Sequence, residues 1–257
     1  MIMPLQGARA FADRVVVITG SSRGIGLGIA RAFAEQGAIL HLLADDPQVE
    51  TVAAELGGKG YVVDITEAGG LPALFATIGR IDVLINNAGY ERLTPLDDPS
   101  ADNEAVFRRI IDINVTGTFM VTRAALPMLG RGSKIINTAS VWARTAEPLF
   151  SAYVASKHAV IGLTKTWAKE LGPHGINVNA VCPGWVRTEA ALRSLDIMAA
   201  RSGVSEGALL DDILKGQALP GLMEPADIAG TYLFLASDLA ANVTGQGVGA
   251  DRGEAPL

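Results

Sequence analysis

An apolar strand that runs directly into a glycine-rich turn and then a helix constrains this chain more than any other feature. Residues 15–19 read Val-Val-Val-Ile-Thr, Gly20-Ser21-Ser22-Arg23-Gly24-Ile25-Gly26 follows, and helical spacing continues to residue 36. Glycines in G-x-x-x-G-x-G spacing let a pyrophosphate approach the backbone where a Cβ would block it. The helix that opens there adds unpaired N–H groups and the positive end of its dipole. Gly20, Ser22, Arg23, Gly24, Ile25 and Gly26 are therefore candidate phosphate contacts. Glycine also serves ordinary strand-to-helix turns, so the motif alone leaves a plain turn open.

The rest of the chain repeats the pattern. Short aliphatic or β-branched runs at 15–19, 39–43, 61–63, 81–85, 134–138 and 177–181 alternate with helical stretches such as 25–36, 103–129 and 152–171. This alternation predicts an α/β fold: a doubly wound parallel sheet of Rossmann type, with helices on both faces. Gly37 stands where a helix C-cap is expected, and Asp46-Pro47 reads as a cap followed by proline at a helix start. With 257 residues, one domain spanning 1–257 is expected. Residues 190–219 are helix-compatible but interrupted by Gly203, Gly207 and Gly216, which suits a mobile substrate lid or a plain surface excursion.

Charge and cysteine usage exclude several classes. The formal charge is -6, from 27 acidic and 21 basic residues, which argues against a nucleic-acid partner. No apolar run is long enough to span a bilayer, and residues 1–12 lack the pattern of a secretory signal. A lone cysteine, Cys182, permits no internal disulfide, so a cytoplasmic location is expected. His41, His158 and His174 are too scattered for metal-ligand spacing, and no metal is expected.

Tyr153 and Lys157 lie four apart on one face of a predicted helix. In isolation the pair also reads as an aromatic ring packed on a lysine stem. Ser140 ends a strand upstream, where a loop can fold its hydroxyl back towards Tyr153. Asn114, among apolar neighbours, reads as a satisfied buried amide or a helix kink as readily as a catalytic group.

Taken together, 19–26, Asp64-Ile65, Asn86-Asn87-Ala88-Gly89, Asn114, Ser140, Tyr153 with Lys157, and Pro183-Gly184 resemble the short-chain dehydrogenase/reductase family, in its single-domain branch. The likeness covers 15 to about 253. It implies Tyr153 as proton donor or acceptor, Ser140 as the residue positioning the substrate hydroxyl, Lys157 on the nicotinamide ribose, and Asn114 holding a relay water. It further implies Asp64 on the adenine, and Val186 and Thr188 after Pro183-Gly184 on the nicotinamide carboxamide. Thr244-Gly245-Gln246 matches the family's last strand, and homotetramers joined through the stretches 103–129 and 152–171 are frequent among its members.

A tyrosine ionises near about 10, too high for a base at neutral pH, so an adjacent Lys157 ammonium and a cationic nicotinamide are expected to lower it. Asn87, Ala88 and Gly89 follow a strand, where open α/β sheets bind ligands. Asp45, at the end of the second strand, would accept bonds from a ribose and repel a 2′-phosphate, which favours NAD. Arg23 resembles the basic residue of members that prefer NADP. Trp142, Trp185, Glu147 and 190–219 are expected to form the substrate wall; Glu91, Arg92 and Arg144 read either as polar contacts to it or, as the better prior, as exposed loop charges. The leading reading is hydride transfer between NAD(P) and a small secondary alcohol or ketone, such as a sugar or polyol. The alternatives are an NADPH-dependent reductase of 3-oxoacyl thioesters, docking its carrier on Arg108, Arg109, Arg123 and Arg131, and a dinucleotide-binding regulator without catalysis.

Overall fold

The computed structural model describes residues 9–256, so most of the 1–12 segment read above lies outside the described residues. The elements in chain order are β1 (Val15–Thr19), α1 (Gly24–Glu35), β2 (Ile39–Ala44), α2 (Gln48–Glu55), β3 (Lys59–Val62), α3 (Leu71–Ile78), β4 (Ile81–Asn86) and α4 (Ala101–Ile111). They continue with α5 (Thr118–Ala125), β5 (Leu129–Thr138), α6 (Ser151–Leu171), β6 (Asn177–Pro183), α7 (Glu189–Ser202), α8 (Glu206–Lys215), α9 (Pro225–Ala236) and β7 (Gly247–Ala250).

Among the described residues seven strands form one sheet in the order β3-β2-β1-β4-β5-β6-β7, and every neighbouring pair is parallel. Side chains alternate across it, as strand geometry requires. Val16, Ile18, Val83 and Ile85 face a core closed by Ile29 and Phe33 of α1, Val49 and Val52 of α2, and Tyr232 of α9. Val17 and Leu84 face the opposite core, closed by Phe75 of α3, Val121 of α5 and Trp167 of α6. A sheet buried on both faces explains why its strands are apolar runs rather than alternating ones. The doubly wound fold is as the sequence implies, and its order reverses between β1 and β4, where such sheets open a crevice at the strand C-termini.

Several boundaries differ from the sequence reading. β3 begins at Lys59, not Tyr61, and contains Gly60, where a Cβ would lie 2.6 Å from the Glu50 backbone; close packing of α2 requires the glycine. β5 begins at Leu129 rather than Lys134, because Leu129 pairs with Ile81 before a register shift around Gly130 and Gly132. The stretch 103–129 is not one helix: a π-helical turn, Asp112–Gly117, joins α4 to α5. β7 starts at Gly247, although Thr244 and Gln246 already bond to the backbone of β6. Gly37 does cap α1, with φ +81°. The Asp46 carboxylate caps α2 through the Gln48 N–H at 2.9 Å.

The C-terminal tail folds back towards the cleft. Asp251 accepts the N–H groups of Gly253 and Ala255 at 3.1 and 3.2 Å, and Ala255 packs against a cluster that includes Trp142, Phe150 and Met198. Glu254 is partly buried there, with Oε2 lacking a hydrogen-bond partner. Burial first, then the neighbouring Asp251, pushes its carboxyl up to about 7. Because the folded state holds this proton more tightly than the unfolded chain, the stabilisation is full at low pH and is lost as pH rises through about 7. Glu254→Gln should therefore melt at a higher temperature than the wild type at pH above ~8 and at nearly the same temperature near pH ~5. An equal difference at both pH values would show that Glu254 is not held protonated.

Candidate active site

The crevice at the β1–β4 reversal is a cleft of about 920 Å³, lined by the glycine turn, the ends of β2, β4, β5 and β6, and the start of α7. Gly20 and Gly24 take φ of +64° and +55°, a left-handed conformation that glycine adopts without strain. A Cβ on Gly20 would lie 2.6 Å from Ala88 Cα, and one on Gly26 would lie 2.1 Å from the Gly20 carbonyl oxygen. Arg23 occupies the N-cap position of α1 without a side-chain capping bond, so the first-turn N–H groups are left for a ligand of the cleft that Ser22, Gly24, Ile25 and Gly26 line. Asn87 fixes this turn: its Nδ2 donates to the carbonyls of Thr19 and Gly20 at 3.1 and 2.9 Å. Thr19 Oγ1 returns the contact by accepting the N–H groups of Asn87 and Ala88, both at 3.0 Å. An uncapped helix start beside a turn with no room for side chains fits a dinucleotide pyrophosphate.

The remaining candidates for the dinucleotide line the same cleft: Asp45, Asp64, Ile65, Ala88, Gly89, Pro183, Gly184, Val186 and Thr188. Arg23 is not free; its guanidinium pairs with Asp46 at 2.9 Å. Asp64 Oδ1 accepts the Thr66 N–H and hydroxyl at 2.8 and 2.7 Å, and Oδ2 pairs with Arg109 at 2.9 Å. Burial works to raise this carboxyl, but the Thr66 bonds and the Arg109 charge outweigh it and hold Asp64 below its usual range. Ile65 is buried against Gly117, where a Cβ would lie 2.7 Å from its Cδ1. Thr188 caps α7 through the Ala191 N–H at 3.2 Å.

The reactive candidates converge at the far end. Lys157 is buried, its Nζ donating to the Thr138 carbonyl at 2.8 Å and standing 5.4 Å from the centre of the Tyr153 ring. Burial pulls this ammonium down to about 8. Ser140 is buried and starts a short 3-10 turn, its Oγ accepting the Trp142 N–H at 3.2 Å. The Tyr153 phenol departs from expectation: burial above all, and then the Glu91 charge, push it above its usual value, against an opposing bond from Ser140. Lys157 Nζ is turned to the Thr138 carbonyl and stands over the Tyr153 ring face.

Asn114 sits in the π-helical turn. Its Oδ1 accepts the Tyr90 N–H at 2.7 Å, and its Nδ2 donates to the Tyr90 carbonyl at 3.0 Å and to Ser156 Oγ at 3.0 Å. The wider turn places this amide at the junction of the β4 loop and α6, as irregular helix turns at functional sites commonly do. Trp142 meets Tyr153 and Trp185 edge-on at 5.9 and 6.1 Å, forming an aromatic wall.

Three loop charges correct the sequence reading. Glu91 is no exposed loop charge; it lines the cleft with its side chain 14% exposed. Arg144 is half-buried and turns away to the Gly247 carbonyl of β7. Arg92 donates to the Glu91 carbonyl at 2.9 Å and covers the Tyr90 ring. Nothing in the local sequence Tyr90-Glu91-Arg92 distinguishes an inward acid from a solvated one, because Ser194 of α7 buries it from far along the chain. The tail around Ala255 was missed for the same reason.

Comparison with known proteins agrees with this geometry. A family model described as enoyl-(acyl carrier protein) reductase matches residues 20–254. A D-beta-hydroxybutyrate dehydrogenase of Rhizobium meliloti is 35% identical over 93% of this chain and 98% of its own. The structure of an aldohexose dehydrogenase from Thermoplasma acidophilum superposes with a TM-score of 0.84 at 31% identity, covering 98% of both chains. A carveol dehydrogenase from Mycobacterium avium, solved in complex with NAD, gives 0.86 at 29% identity, covering 95% of this chain and 98% of that one. The chain belongs to the short-chain dehydrogenase/reductase family. It is thereby an NAD(P)-dependent oxidoreductase acting on CH–OH groups.

The Asn114 bracket gives a direct expectation. Asn114→Ala leaves both part-buried backbone groups of Tyr90 without their partner, so stability should fall by about 1 kcal/mol or more in denaturant unfolding. A loss below about 0.5 kcal/mol would mean that water replaces the bracket readily.

Proposed function

We propose that the protein moves a hydride between NAD and a small secondary alcohol or its ketone, with Tyr153 as the acid/base. The observation that carries this reading is the convergence of Ser140, Tyr153 and Lys157 on the cleft that holds the glycine turn. The nicotinamide supplies the hydride chemistry when bound. Tyr153 exchanges the proton of the carbinol oxygen, Ser140 holds that oxygen in line, and Lys157, anchored on Thr138, reaches the nicotinamide ribose. Asn114 steadies the loop beside them and holds the relay water. The α7–α8 excursion serves as the lid: α7 buries Leu195 and Met198, α8 buries none of its residues, and Gly203 at φ +67° separates them.

Asp45 lines the cleft at the end of β2 while Arg23 is committed to Asp46, which supports NAD over NADP. The thioester reductase reading stays the alternative: of its four docking arginines, Arg108 pairs with Glu104 and Arg109 with Asp64, whereas Arg123 lies over the Phe119 ring. The aromatic wall and the cleft chemistry suit a small neutral alcohol better, and a sugar or polyol is within its size. No helix of the described residues is long and apolar enough to cross a membrane. We assign the protein to the cytoplasm on its single buried cysteine, and to a tetramer on the outward Phe107 and Phe119 of α4 and α5.

A screen of alcohols and ketones by nicotinamide absorbance, run with both cofactors, tests the reading. Tyr153→Phe should bind cofactor and lose turnover at least ~100-fold. Wild type should show the higher kcat/KM with NAD, and Asp45→Ala should narrow that gap. Near wild-type activity in Tyr153→Phe removes the phenol from the mechanism, and a wild-type preference for NADP overturns the role of Asp45.

A further inference from the structure

One charged cluster of the cleft takes no part in the steps above. Asp64 follows β3, and three donors already meet its carboxylate: the Thr66 N–H and hydroxyl on Oδ1, at 2.8 and 2.7 Å, and Arg109 Nη2 on Oδ2, at 2.9 Å. Arg109 also donates through Nη1 to Thr66 Oγ1 at 3.0 Å. One guanidinium of α4 therefore steers Oδ2 directly and Oδ1 through the threonine hydroxyl. Asp112, three residues along, stands 3.6 Å from Nη1 and gives the guanidinium a second anion. A carboxylate offers about four lone-pair sites, so one remains, on Oδ2. The Asp64 side chain is 32% exposed and lines the cleft, so a ligand can reach it. The Thr66 bonds and the Arg109 charge keep it ionised, and an ionised carboxylate can only accept.

Val63, Ile65, Ala88 and Ile113 line the cleft with Asp64 and make an apolar slot for a flat ring. In the sheet β3 and β5 lie on opposite sides of β1, so the slot and the Ser140–Tyr153 group stand on opposite sides of the glycine turn. A dinucleotide with its pyrophosphate on that turn has one ring at each end. We propose that Arg109 sets the base specificity of the dinucleotide site: by fixing Asp64 with one Oδ2 lone pair open to the slot, it makes the carboxylate accept the exocyclic amino group of adenine and reject a base with a carbonyl at that position. Arg109 is a positioning residue here, acting through Asp64 rather than on the base. The inference rests on the dinucleotide-dependent dehydrogenase reading above.

The test is equilibrium titration of the protein with NADH and with the reduced dinucleotide in which hypoxanthine replaces adenine. Wild type should bind NADH at least about ten-fold more tightly, the scale on which a site built for an N–H donor rejects a ligand without one. Arg109→Ala should reduce that ratio to about three-fold or less, chiefly by weakening NADH. Thr66→Val, which removes only the hydroxyl link to Oδ1, should move the ratio the same way and serves if Arg109→Ala does not fold. In an Asp64→Asn background the ratio should lie near one, and Arg109→Ala should change it no further. A ratio that Arg109→Ala leaves at the wild-type value overturns the proposal, and so does a further change in the Asp64→Asn background, which would put Arg109 on the base itself. Equal, tight binding of both dinucleotides to wild type overturns this proposal alone. No binding of either overturns the dehydrogenase reading and this proposal with it.

Discussion

The structure depends on the contact that closes the β1–β4 reversal. Thr19-Gly20 and Asn87-Ala88, at the C-terminal ends of two adjacent parallel strands, exchange side-chain and backbone bonds of 2.9 to 3.1 Å across the point where the sheet turns in opposite directions. Parallel strands bring their C-termini to one edge, and there the chain must leave the sheet without filling the crevice. Gly20 and Gly26 meet that requirement by omission: a methyl on either would collide with backbone. The glycine turn is therefore a packing solution as well as a binding surface, and the two cannot be separated by substitution there.

The fold was legible because its strongest determinants are local. Apolar runs buried on both faces, glycines at φ above zero and a capping glycine at Gly37 all act over a few residues. What was not legible depends on distant partners. Gly60 sits inside β3 because α2 packs on it, so a reading based on β-branched residues stopped short. The π-helical turn at Asp112–Gly117 leaves no periodic mark, yet it decides where the Asn114 amide points. Glu91 looked like any loop acid until Ser194, over a hundred residues later, covered it. The order of candidate site residues was readable; their electrostatics was not.

That electrostatics inverts the simplest expectation. Tyr153 and Lys157 were expected to form a cation–phenolate pair, but burial drives both towards their neutral forms, the phenol upwards and the ammonium down to about 8. Glu91 reinforces the effect on the phenol. Under the proposed role of Tyr153, a phenol pushed up in this way is in the form that would donate a proton to a ketone oxygen. To take a proton from an alcohol it needs additional positive charge, which the oxidised nicotinamide carries.

The most direct measurement is the ionisation of Tyr153, followed by tyrosinate difference absorbance against Tyr153→Phe, with and without NAD. The account predicts no Tyr153 phenolate below pH ~10 in the free protein and a clear shift of its appearance to lower pH when NAD is bound. A phenolate already present near neutral pH without cofactor, or a titration that NAD leaves unmoved, would contradict it.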